Sequence, residues 1–174
     1  LPSETEETRA TVRAVLEYLG GVALEETLLS YLGGTVEGDR AALRFLLFSL
    51  QGVTPARETQ RTNTHWTLVR SPLPRSEEEP LALEIVLEAA ETFLGTSGRL
   101  LTDDEFLSAL RRELPAPLSE AALRSFLSVA KRVIRTSLGE WGLRAWPEAA
   151  PRSVGDKAYV VLKRARHPLH FREI

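Results

Sequence analysis

Apolar residues recur every three or four positions along most of this chain, and glycine or proline interrupts them at regular places. Val12, Val15, Leu16 and Leu19 mark one face of a first helix, stopped by Gly20-Gly21 and opened by a Ser3/Glu6 capping box. Leu24, Leu28, Leu29 and Leu32 predict a short second helix closed by Gly33-Gly34. A third, capped by Asp39, carries Leu43, Phe45, Leu46, Leu47, Phe48 and Leu50. From Val53 to Val69 the texture becomes β-branched and polar around Trp66, which predicts a two-stranded hairpin.

The proline-bounded acidic run SPLPRSEEEP, 71–80, breaks the pattern, which then starts again. Leu83, Val86, Leu87, Ala90 and Phe93 share a helical face that the GTSG run at 95–98 should end. Thr102 with Glu105 forms a second capping box ahead of Phe106, Leu107 and Leu110, and that helix must stop before Pro115. Ser119 caps a longer helix with Leu123, Phe126, Leu127 and Ala130; Val133-Ile134 and Trp141 to Trp146 then form a compact wing turning at Gly139. A Pro-bracketed spacer, Pro147 to Pro151, leads to a helix over Val154 to Ala165, an extended piece over His167 to His170 and a helix start at Phe171.

Both halves place Trp-x-Leu on the last strand, Trp66 to Leu68 and Trp141 to Leu143, and both have a short apolar extended piece before an acid-led helix. The pattern predicts a mainly α chain of small α+β modules, arranged as tandem winged-helix domains. Module one spans 1–71, a linker 72–80, module two 81–149, and 150–174 begins a truncated third module.

Composition changes this picture in three ways. No apolar run reaches the roughly 18 residues of a membrane span, and no signal peptide is visible, so a cytoplasmic, non-membrane protein is expected. Cysteine is absent, which excludes disulfides and thiolate metal sites. Methionine is absent too, even at position 1; together with a tail that stops in mid-pattern, this predicts a segment of a longer protein. The net charge of −2 is uneven: 1–118 carries 11 Lys/Arg against 19 Asp/Glu, and 119–174 carries 11 against 5. A polyanion would therefore meet the back half.

Arg124, Ser128, Lys131 and Arg135 recur at i, i+4, i+7 and i+11, opposite the apolar face of module two's third helix. With Arg132 and Arg144 they form the candidate phosphate-binding stripe, set against the plainer reading of a solvated helix face. Module one differs. Its third helix holds Arg40 and Arg44 but little other polar surface, so Leu43, Leu47 and Phe48 are expected to pack on another module or a protein partner. Arg57 and Arg61 of its hairpin are weaker phosphate candidates. Asp103, Asp104 and Glu105 are explained by a helix N-terminus, GTSG lacks the Lys-Ser/Thr of a phosphate loop, and the tryptophans read as core anchors. His65, His167 and His170 make no ligand set, and no Ser/His/Asp spacing is recognisable; no metal, cofactor, small-molecule substrate or enzymatic activity is expected.

The run DKAYVVLKRARHPLHFREI, Asp156 to Ile174, resembles the start of the HARE helix-turn-helix domain. The resemblance lies in an apolar helix followed by Pro168, Leu169, His170, Phe171, Glu173 and Ile174. This is a winged-helix module found in the delta subunit of bacterial RNA polymerase, in some restriction enzymes and in chromatin proteins. The preceding residues from Gly139 look like the lead-in seen in bacterial proteins that also carry a sigma-factor-like helix-turn-helix. The resemblance covers about the last 36 residues. The chain stops before the third helix and wing of that domain, so no contact residue carries over. It implies a transcription setting. Two functions follow: a segment binding double-stranded DNA, or a non-catalytic scaffold for RNA polymerase or another transcription protein.

Overall fold

The computed structural model describes residues 4–33, 40–69, 83–115 and 117–165. The Ser3/Glu6 box, the Asp39 cap, the 72–80 linker and the His167 to Ile174 signature lie outside these residues. Among the described residues the chain is α+β, with seven helices and two small antiparallel sheets.

The first run is α1 (Glu4–Tyr18), β1 (Val22–Ala23), α2 (Glu25–Leu32), α3 (Arg40–Ser49), β2 (Val53–Ala56) and β3 (His65–Leu68). Its sheet order is β1-β3-β2, with Val22 opposite Thr67 and Val53 opposite Leu68. The second run is α4 (Leu83–Ser97), β4 (Leu101–Thr102), α5 (Asp103–Glu113), α6 (Glu120–Val129), β5 (Val133–Arg135) and β6 (Glu140–Leu143), followed by α7 (Val154–Ala165). Its sheet order, β4-β6-β5, repeats the first, with Leu101 opposite Trp141. Trp66 and Trp141 occupy the central strand of their sheets, and both are buried.

The local signals act where the sequence places them. Gly20 and Gly21 take φ of 78° and 82° after α1, a left-handed turn that a side chain would strain. Thr102 and Glu105 bond reciprocally, backbone N to Oε2 at 3.0 Å and backbone N to Oγ1 at 3.4 Å. Ser119 Oγ accepts from Ala122 N at 3.1 Å. The GTSG run ends α4 as expected, at Ser97 before the left-handed Gly98, φ 62°. Two expectations change. Pro147 to Pro151 is no open spacer: the amides of Ala149 and Ala150 donate to Trp146 O, and Ala149 is buried. Finally, α6 ends at Val129, because Ala130 turns extended at φ −66° and ψ 143°.

The chain packs as two compact units, 1–87 with 114–131 and 88–113 with 132–174, so the units cut across the sequence intervals 1–71 and 81–149. In the first unit Val12, Leu16, Leu28, Leu43, Leu47 and Trp66 form the core. Helix α6 belongs to it. Ser125 Oγ donates to Val22 O at 2.6 Å, and Gly20 lies so close that an added Cβ would meet Ala122 Cβ at 2.8 Å. The loop between β2 and β3 is tied to the end of α6: Asn63 N donates to Val129 O at 2.8 Å and Lys131 N to Arg61 O at 2.7 Å. In the second unit Phe106 stacks between Phe93 and Trp141, at 6.2 and 5.4 Å between ring centroids.

Candidate interaction surfaces

The basic stripe predicted on α6 is not a helical stripe. Only Arg124 and Ser128 lie on α6; Lys131 follows the extended Ala130, and Arg135 is on β5. Each is also engaged locally. Arg124 Nε meets Glu120 Oε1 at 2.9 Å, and Ser128 Oγ donates to Ser125 O at 2.6 Å. Lys131 Nζ pairs with Glu58 and donates to Thr59 O at 2.7 Å. In the second unit Arg132 meets Glu91 at 3.3 Å, and Arg135 Nε donates to Asp103 Oδ1 at 3.1 Å. Trp141 Nε1 donates to the same Asp103 oxygen. Arg144 has an exposed side chain, and its backbone N donates to Arg132 O at 2.7 Å. Of the hairpin pair, Arg61 stands 3.7 Å from Glu84, while Arg57 is exposed with no ion pair among the described residues. Phosphates would have to displace carboxylates at most of these positions, so the positive charge counted along the sequence is largely compensated where it lies.

Helix α3 gives the opposite result. Leu43 and Leu47, expected at a partner surface, are fully buried in the core of the first unit, where Leu46 joins them. Phe48 is 66% exposed, and so is Phe45 at 69%, a residue the sequence reading did not single out. The signal was present. At about 100° per residue, Leu43, Leu46, Leu47 and Leu50 point one way, and Ala41, Arg44, Phe45 and Phe48 the other. The run looks apolar all round, yet it is a core stripe backed by an aromatic stripe. Phe48 touches Trp66 edge-on, with centroids 5.0 Å apart. Tyr18 and Tyr31, both exposed, form a further ring pair at 6.1 Å on α1 and α2.

Beside α3 the first unit has a cleft of about 370 Å³, walled by Glu25, Glu26, Arg40, Arg44, His65 and Trp66 among others. Arg44 Nε donates to Glu25 Oε2 at 2.7 Å; that hydrogen bond and the adjacent carboxylate raise the guanidinium pKa. Arg40 Nη2 donates to Glu26 Oε1 at 3.1 Å. His65 is buried, its Nδ1 at 2.7 Å from Asn63 O. Among the described residues no group of three or more His, Cys, Asp or Glu is placed to hold a metal, and no helix is long and apolar enough to cross a membrane. No family model, no curated protein and no solved structure matches this chain.

Proposed function

We propose that this chain is a non-catalytic, transcription-associated scaffold of two winged-helix modules, and that α3 of the first docks a protein of the transcription machinery. The order helix, strand, helix, helix, strand, strand, with its first strand paired to its last, occurs twice and supports the winged-helix reading. The transcription setting rests on the resemblance of Asp156 to Ile174 to a HARE domain. The observation that carries protein docking over phosphate binding is Phe45 and Phe48 standing out on α3, while Arg124, Lys131, Arg132 and Arg135 are each held by a carboxylate. Large exposed aromatics at helical spacing are what a protein interface uses as anchors.

Purified bacterial RNA polymerase provides the test. On this reading the chain co-elutes with it; the Arg124→Glu/Lys131→Glu variant still does, and Phe45→Ser/Phe48→Ser does not. Binding of duplex DNA that falls steeply with salt and disappears in Arg124→Glu/Lys131→Glu would instead establish the second reading, a DNA-binding segment. The specific observation behind that alternative is the excess of 11 basic over 5 acidic residues in 119–174, together with the exposed Arg57.

A further inference from the structure

The face of α3 says more about its partner than that it is a protein. The helix holds two arginines and no acid, and its outward stripe runs Ala41, Arg44, Phe45, Phe48. Arg44 is 58% exposed and bonds Glu25 through Nε alone, so its two Nη groups have no acceptor among the described residues. Arg44 lines the cleft together with Arg40, Glu25 and Glu26; the aromatic wall is Trp66, and Trp66 is in contact with Phe48. An apolar ridge thus runs alongside a polar recess holding an open guanidinium fork, the group best matched to one carboxylate.

Resting on the reading that α3 docks a protein, we propose that the docked segment is an acidic amphipathic helix. Its apolar stripe covers Phe45 and Phe48, and a carboxylate on its edge enters the cleft to take the Nη donors of Arg44, with Arg40 close by. Arg40 bonds the exposed Glu26 and stands 4.0 Å from Oε1 of the largely buried Glu25; exchange of the exposed Glu26 partner costs little. A nucleic-acid strand fits the face less well. One carboxylate needs one fork, whereas a phosphate backbone needs several uncompensated cations, and Arg40 and Arg44 each already face a carboxylate of the same unit. A second copy of this chain would bring another arginine-bearing, acid-free α3 to the same ridge.

The test titrates the whole ¹⁵N-labelled chain with three synthetic amphipathic helices of one apolar face, with Glu, Gln or Lys on the polar face. The expected result is that the Leu/Glu peptide shifts the amides of Arg44, Phe45 and Phe48 and the Trp66 indole, while the Leu/Lys peptide does not. Arg44→Gln should weaken the Leu/Glu peptide by about tenfold. Glu26→Gln, which removes the carboxylate holding the neighbouring Arg40 and one negative charge from the cleft wall, should tighten it severalfold. Equal binding of all three peptides, no perturbation of α3, or unchanged affinity in Arg44→Gln overturns the proposal. So does concentration-dependent movement of the same resonances without peptide, which would assign the face to a second copy. If the peptides fail while polymerase capture still requires Phe45 and Phe48, the acidic partner is wrong and the docking reading stands; loss of that capture removes the docking reading.

Discussion

Glu105 shows how far single residues are governed by near neighbours. Its carboxylate accepts from Thr102 N at 3.0 Å, Thr102 Oγ1 at 3.1 Å and Arg99 Nη2 at 3.2 Å. These donors, the Thr102 amide foremost, pull its pKa from 4.5 to about 2. A carboxyl whose pKa is lower in the folded than in the unfolded chain stabilises the fold above pH 4.5, and the contribution disappears as the pH falls towards 2. Glu105→Gln should therefore be less stable than the parent at neutral pH, with the gap closing across that acidic window, as urea midpoints measured against pH would show. A gap of the same size at pH 2 and pH 7 would contradict the assignment. The box is legible in the sequence because donor and acceptor are three residues apart. Lys131 and Glu58, 73 positions apart, carry no such local signal, and this is why the basic residues read as available when they are paired.

Helix α6 was half legible. Its cap at Ser119 and its apolar face follow from the local pattern, and Leu123, Phe126 and Leu127 are all buried. Its end does not, because Lys131 and Arg132 are good helix formers and the charge periodicity runs straight past Ala130. The chain turns there because Ala130 bridges to Thr62 and Val129 O accepts from Asn63 N, partners supplied by a distant hairpin. Ser125 is equally misleading: between Arg124 and Phe126 it reads as a surface residue, yet it is buried and donates to Val22 O. Ser125→Ala leaves that carbonyl without its side-chain donor and should cost about 1–3 kcal/mol in urea denaturation. Arg124→Gln, on the exposed side of the same helix, should stay within about 0.5 kcal/mol. Equal costs for the two would refute the packing of α6 against β1.

On the scale of the whole molecule, the sequence predicts the element order and misses how the elements group. Repeats and linkers describe succession along the chain, and nothing in a periodicity tells a helix which neighbour will bury its apolar face. Here α6 joins the unit that holds α1 to β3, which changes what a self-sufficient fragment would be. Residues 1–87 alone would leave Gly20 without Ala122 and Phe126 above it. They would also lose the Ser125 bond to Val22 and free the β2–β3 loop from Val129 and Lys131. A Phe side chain such as Phe126 contributes about 1.5–3 kcal/mol when fully buried, so losing it together with those hydrogen bonds is a large share of a small unit's stability. The 1–87 fragment should melt broadly and bind a hydrophobic dye, while 1–131 should keep a cooperative transition. A sharp melt of 1–87 at the temperature of the full chain would show that the first six elements form a complete core without α6, and would return the boundary to the linker at 72–80.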